Sequence, residues 1–204
     1  MKDMNSTGSI TGTEPVVDIF ADGDVILVVG PQAVQLRVHS LFLQSVSKVF
    51  QVMFGQRWSE GRDLSKDHPK SVVLEEDNAE AMQTICCVIH HRSNMLPTEI
   101  PPEKVLEIGI VSGKYDLASA LKYVIAQWLH PSGTHSILDS GYLAASAFLF
   151  DDAGRFQQLT LTLILDYATT YRTLLENKRV RDFLPWQAVC EQQNDWLCRY
   201  RGRD

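Results

Sequence analysis

The most informative pattern in this sequence is HSLFLQSVSKVFQVMF, residues 39–54. Its apolar side chains recur every three or four residues, at Leu43, Val46, Phe50 and Met53. This spacing places them on one face of a helix, whereas the residues just before the stretch alternate between apolar and polar. The stretch therefore predicts a helix that follows a strand and turns this face toward the core.

The residues before this helix predict a β-hairpin. The β-branched run VILVV, residues 25–29, is typical of a strand covered on both faces. Gly30 and Pro31 interrupt the run. Leu36 and Val38 then alternate with polar neighbours, as in a half-buried strand. Two short strands joined by a turn are thus expected before the helix.

The next part of the chain predicts a loop, a short strand and three helices. Residues 56–70 are polar and predict the loop, which leads to a strand at residues 72–74. Asp77 or Asn78 caps the first helix, because either side chain can accept a hydrogen bond from the unpaired amides of a first turn. Pro102 opens the second helix, where its missing N–H costs nothing.

Both ends of the chain differ from this central part. Residues 1–17 are rich in Ser, Thr and Gly and predict a flexible tail. Beyond residue 135 the sequence predicts only helices. Their ranges are residues 142–150, 156–171 and 186–200, with a charged turn around residues 177–181.

Composition argues against nucleic acid and membrane partners. The net charge is −6 and the pI about 5.5, so the chain as a whole repels a phosphate backbone. We interpret the basic clusters at residues 178–181 and 199–203 as solvated surface. No stretch approaches the roughly 18 apolar residues that span a bilayer, and residues 1–15 lack the apolar core of a secretory signal. We expect a soluble intracellular protein, either cytoplasmic or nuclear.

The cysteines predict neither a disulfide framework nor a metal site. Cys86 and Cys87 are adjacent in an apolar run, which favours a reducing compartment. Cys86 with His90, and Cys87 with His91, are four residues apart on a predicted helix and could each face a metal ion. The two pairs point about 100° apart around the helix, however, and Cys86 lies on its apolar stripe. We therefore expect no metal.

No pattern of residues indicates catalysis. His39 could serve as a general base, but no Ser or Cys lies in a nucleophile elbow of the form G-x-S-x-G. The sequence also contains no P-loop and no G-x-G-x-x-G. We expect no catalytic residue and no cofactor, and we interpret His39 as a structural hydrogen-bonding residue.

A set of spaced residues indicates a more specific fold than the pattern of helices and strands does. Its members are Asp24 at the first strand, then His39, Leu43, Ser47, Phe50, Met53 and Phe54, and finally Tyr115. Together with the order of elements, they resemble the BTB/POZ family and look most like its divergent fungal members. The resemblance implies an α+β fold over residues 18–131, in which a cluster of α-helices flanks a small β-sheet. An all-α C-terminal extension over residues 135–204 would follow.

The chain departs from the family pattern at three places. Where the central helix usually ends in Tyr-Thr-Gly, this chain has His90, His91 and Arg92, so the next turn must be built differently. Ser40 replaces the basic residue that usually follows the signature His and that helps to form a charged pocket in repressor-type members. Residues 6–20 contain two Gly and a Pro and do not favour the N-terminal helix that many dimeric members exchange.

The resemblance implies a non-catalytic module that binds other proteins. Trp58, Ser59 and Glu60 match a hydrophobic-x-Glu motif with which some family members recruit a cullin, and they predict a substrate adaptor for a cullin-type ubiquitin ligase. In the other interpretation, Trp58 folds back onto its own domain and Glu60 is a solvated loop charge. The alternative function is an oligomerisation or scaffold domain, for example in transcriptional regulation, that recruits no ligase.

Overall fold

A computed structural model describes residues 15–55, 58–130, 136–166, 171–187 and 189–190. Four strands form its sheet: β1 (Val17–Asp18), β2 (Val25–Val29), β3 (Val34–Val38) and β4 (Lys70–Leu74). Their order is β1-β3-β2-β4, with β2 and β3 antiparallel and the two outer pairings parallel. The predicted hairpin and the later short strand are confirmed. The range predicted as a tail, residues 1–17, overlaps β1 by one residue and otherwise lies almost wholly outside the described residues.

The sheet is covered more fully on one face than on the other. In β2, Val25, Leu27 and Val29 are fully buried, whereas Ile26 and Val28 are half-buried. The prediction of a strand covered on both faces is therefore wrong for the second face. Polar neighbours explain the difference, because Ile26 lies opposite Arg37 of β3 in the register and Val28 lies opposite Gln35. A guanidinium keeps its head group in contact with water even where its stem is buried.

The helix predicted over residues 39–54 is two helices, α1 (Ser40–Val46) and α2 (Lys48–Met53). The chain breaks at Ser47, whose backbone is extended at φ −135° and ψ 123°. The Ser47 hydroxyl accepts a hydrogen bond from the Phe50 amide and thereby caps α2. Leu43 and Phe50 are both fully buried in spite of the break, which is why the apolar spacing continues through it.

The remaining helices of the sheet domain begin where the sequence indicates. Asn78 caps α3 (Ala79–Ile89) by accepting a hydrogen bond from the Ala81 amide at 3.0 Å. Pro102 is the first residue of α4 (Pro102–Lys114), and α5 (Ala118–Trp128) follows it. Of the two capping residues proposed for α3, the structure thus selects Asn78.

Four further helices form the C-terminal extension within the described residues: α6 (Ile137–Leu149), α7 (Ala153–Asp166), α8 (Tyr171–Glu176) and α9 (Lys178–Phe183). The charged turn predicted around residues 177–181 is wrong, because Asn177 accepts a hydrogen bond from the Val180 amide and starts α9 there. The helix predicted over residues 186–200 lies mostly outside the described residues. The α+β fold class with an all-α extension is confirmed.

The extension and the sheet domain share one hydrophobic core. Helix α6 is buried without interruption from Ser140 to Ala147, as expected for a helix surrounded by others. On one side, Gly109 of α4 lets Leu149 of α6 approach closely. On the other, Gly141 of α6 lies against Leu174 of α8. Small residues at these two positions allow α6 to lie between the neighbouring helices.

Candidate protein-interaction surface

Four of the signature residues lie together in the core of the sheet domain. The Ser47 hydroxyl, besides capping α2, donates a hydrogen bond to the Tyr115 carbonyl at 2.6 Å. The Tyr115 ring stacks on Phe50 with centroids 4.6 Å apart, and the Phe54 ring also stacks on Phe50 with centroids 5.7 Å apart. This cluster joins α2 to the end of α4, so these signature residues hold the fold and are not exposed to a partner.

Tyr115 also anchors a buried carboxylate. Its hydroxyl donates to Asp77 Oδ2 at 2.5 Å, while Lys114 Nζ lies 2.7 Å from Asp77 Oδ1. Burial, together with the hydrogen bond to Asp77, raises the pKa of Tyr115, so the hydroxyl stays protonated and continues to donate. Sequence reasoning considered Asp77 only as a helix cap and missed this role.

The Asp24 carboxylate makes hydrogen bonds within the domain. Its two carboxylate oxygens accept from the backbone amide and the hydroxyl of Ser40, both at 2.7 Å. Ser40 is 3% exposed. With Ser40 in place of the usual basic residue, both of these hydrogen bonds to the Asp24 carboxylate come from a neutral neighbour.

His90 and His91 lie at the end of α3, and His90 contacts His39 at the start of α1. His39 caps α1, because its Nδ1 accepts from the Leu41 amide at 3.3 Å. Its own backbone amide donates to His90 Nε2 at 3.1 Å. His91, the next residue, takes a left-handed conformation at φ +56°. His39 thus links the start of α1 to the end of α3 through hydrogen bonds.

The two cysteines near this turn are thiols in the core. Cys86 and Cys87 are both buried, and burial raises the pKa of each. The His90 ring binds the Cys86 backbone carbonyl at 2.8 Å, not the sulfur. Among the described residues, no group of three or more His, Cys, Asp or Glu side chains is arranged to hold a metal ion.

Trp58 is the exposed member of the motif that sequence reasoning singled out. Its side chain is 55% exposed. Its amide donates to the Gly55 carbonyl at 3.1 Å, and its carbonyl accepts from the Gly61 amide at 3.2 Å. Ser59 and Glu60 form a short 3-10 turn with Gly61, and Glu60 is half-buried. The interpretation in which Trp58 folds back into its own core does not agree with this exposure.

Gly61 sets the position of this turn. A Cβ atom added there would overlap the carbonyl oxygens of Phe54 and Gly55 at the end of α2. Only a residue without a side chain allows the two backbone segments to approach so closely. The turn that carries Trp58 is therefore packed against the end of α2.

Two valines are exposed on α2, the helix whose end packs against the Trp58 turn. Val49 is 37% exposed and Val52 is 58% exposed, and both lie on α2. We call Val49, Val52 and Trp58 the α2–Trp58 surface. Sequence reasoning missed the valines, although their spacing of three residues outside the core stripe was a visible signal.

Comparisons with known proteins identify the family. Residues 20–124, just over half of the 204-residue chain, match the family model of the BTB/POZ domain. The matched range extends from the loop before β2 into α5 and includes every signature residue from Asp24 to Tyr115. No curated protein matches the chain. Among the helices that the structure describes, none is long and apolar enough to cross a membrane. The chain belongs to the BTB/POZ domain family, whose domains generally mediate protein–protein interaction.

Proposed function

We propose that this chain binds a partner protein through the α2–Trp58 surface and acts as a substrate adaptor for a cullin-type ubiquitin ligase. The observation that carries the proposal is the exposed Trp58 side chain on a turn packed against α2. A Trp on a turn whose backbone is held loses little backbone freedom when a partner covers it, and it contributes a large apolar area. Such residues dominate the binding energy of many protein interfaces.

The neighbours of Trp58 suit an interface with an apolar centre. Val49 and Val52 add exposed apolar area on the adjacent helix, where a partner would exclude water around Trp58. Glu60, two residues after Trp58, supplies a carboxylate that can orient the partner through a hydrogen bond. The motif Trp58-Ser59-Glu60 thus combines an apolar anchor with a directional polar group.

The proposal includes a place of action and a range of partners. Cys86 and Cys87 are free thiols, which favours the reducing interior of a cell, either cytoplasm or nucleus. The negative net charge favours protein partners over nucleic acid or an anionic membrane. The similarity to divergent fungal BTB proteins belongs to this proposal as well.

Calorimetric titration of the full chain with the N-terminal regions of a panel of cullins tests the adaptor function. Trp58→Ala is expected to weaken binding by about tenfold or more, the usual effect at an interface hot spot. Glu60→Ala is expected to weaken it less, because a half-exposed carboxylate is partly compensated by water. Tyr123→Ala is the matched control, since Tyr123 is an aromatic residue on α5 that is 91% exposed.

Two results would remove the adaptor function. The first is that the wild-type chain binds no cullin of the panel. The second is that Trp58→Ala and Tyr123→Ala bind as tightly as the wild type.

One observation favours the alternative of a self-associating scaffold. Leu41 on α1 is 65% exposed, an unusual position for a large aliphatic side chain. Sedimentation velocity at micromolar concentration is expected to show a dimer that Leu41→Ser dissociates if α1 forms the contact. A monomer at all concentrations would exclude this scaffold function.

A further inference from the structure

His90 lies between two elements that are distant in sequence. It is the C-terminal cap of α3, and only 4% of its surface is exposed. Its Nε2 accepts a hydrogen bond from the backbone amide of His39, which is the cap of α1. A single imidazole therefore connects the end of the central helix to the start of the first helix.

The hydrogen bonds of His90 fix its protonation state. Nδ1 lies 2.8 Å from the Cys86 carbonyl, which can only accept, so Nδ1 carries the proton. Nε2 must then be unprotonated, because it accepts from the His39 amide at 3.1 Å. A second proton would place an N–H of His90 against an N–H of His39, and this hydrogen bond would be lost.

The surroundings of His90 offer a positive charge little compensation. The rings of Phe20 and Phe42 lie 5.9 Å and 5.0 Å from its ring, measured between centroids. Besides the burial of the ring, His39, at the start of α1, and His91, the next residue in the chain, both oppose a positive charge on His90 and so lower its pKa.

Other titratable groups near His90 do not pair with it. The Asp24 carboxylate lies 3.8 Å from Nδ1 of His39 and is bound to Ser40. Cys86 meets His90 through its backbone carbonyl. Burial of the ring is the main reason why the pKa of His90 lies below its ordinary value.

We propose that His90 is a pH-sensitive latch that holds the start of α1 against the end of α3 and that acidification releases. The proposal does not depend on the cullin adaptor function, because it concerns the α1–α3 junction and not the α2–Trp58 surface. Release frees the cap of α1, the helix that carries the exposed Leu41, while Asp24 keeps hold of Ser40. The latch would thus loosen one end of α1 without unfolding the sheet.

The direction of the pH effect follows from the lowered pKa. The neutral imidazole is favoured in the folded protein, so the latch is closed at and above the ordinary pKa of histidine, about 6.5. As the pH falls below that value toward the lower pKa of the folded protein, the unfolded or opened form binds the proton more readily. The stability that the latch contributes is then lost.

Amide hydrogen exchange of the full chain tests the latch. After correction for the intrinsic rate, the protection of the His39 amide is expected to fall about fivefold or more between about pH 7.5 and about pH 5.5, as a buried hydrogen bond is lost. In His90→Gln, the side-chain amide can still accept from His39 but does not titrate in this range. This variant is expected to show the same protection at both pH values.

His91→Asn is the matched control. It removes a neighbouring imidazole at a left-handed position that Asn tolerates, and it is expected to keep the pH dependence of the wild type. The proposal is overturned if the wild-type protection is the same at both pH values, or if His90→Gln keeps the dependence. Should His90→Gln fail to fold, the ¹⁵N shifts of wild-type His90 decide: an Nδ1–H tautomer supports the latch, and an Nε2–H tautomer overturns it.

Discussion

Tyr115 joins three parts of the domain through one residue. Its ring stacks on Phe50, its carbonyl accepts from Ser47, and its hydroxyl donates to Asp77. The family resemblance predicted that Tyr115, Ser47 and Phe50 matter to the fold. The link to Asp77 could not be predicted, because no spacing rule connects residues 38 positions apart.

Tyr115→Phe keeps the stacked ring and removes only the hydroxyl. Because Asp77 is buried, we expect the loss of this donor to lower the free energy of unfolding by about 1–3 kcal/mol. Urea denaturation followed by circular dichroism measures the change. Tyr123→Phe, at a residue 91% exposed, is the control and should change nothing measurable. Equal stabilities of the two variants would contradict the importance of the Asp77 contact.

For the helices, the sequence predicted the boundaries that a strong capping residue marks. Asn78 and Pro102 start α3 and α4 as expected. The break at Ser47 was not predicted, since the apolar spacing continues across it and only the backbone reveals it. The start of α9 at Asn177 was missed for another reason: its many charges suggested a turn, although Asn is itself a strong cap.

We expect the substitution of Gly by Ala to have opposite effects on stability at Gly61 and at Gly113. Gly61→Ala would force the Trp58 turn away from α2 and is expected to lower the free energy of unfolding by about 1–3 kcal/mol, as overpacking does. Gly113→Ala, in a helix with no atom near its side-chain position, is expected to raise it by about 0.5–1 kcal/mol. Thermal and urea unfolding check both signs. A neutral Gly61→Ala would mean that the turn is not held by α2.

Helix α6 lies in the core that the sheet domain and the extension share, so we expect the described part of the chain to unfold as one cooperative body. Polar contacts also cross the boundary: Arg179 Nε of α9 lies 2.9 Å from Glu107 Oε1 of α4. Burial raises the pKa of Glu107, and the positive charge of Arg179 opposes that rise. The sequence predicted an extension of helices, but it could not predict that the extension packs along α4, since the small residues involved carry no directional signal.

Gly109→Leu tests this shared core. A larger side chain at the contact with Leu149 is expected to lower the free energy of unfolding by about 1–3 kcal/mol. If the molecule unfolds as one unit, hydrogen exchange of the amides in β2 and in α7 should speed up by the same factor. Gly113→Leu, on the same helix but facing open space, is the control. A change confined to α7 would show that the extension unfolds separately.

The parallel pairing of β2 with β4 has a consequence for how the chain is made. While the ribosome is still producing α1 and α2, β2 can already pair with β3. The other edge of β2 can pair only after β4, Lys70–Leu74, has been made. During that interval the backbone N–H and C=O groups on one edge of β2 have no strand to pair with. Exposed strand edges of this kind are sites at which nascent chains associate wrongly or bind chaperones. In stalled translation complexes of increasing length, protease resistance of β2 should therefore appear only after Leu74 has left the exit tunnel. Earlier resistance would mean that the hairpin protects itself.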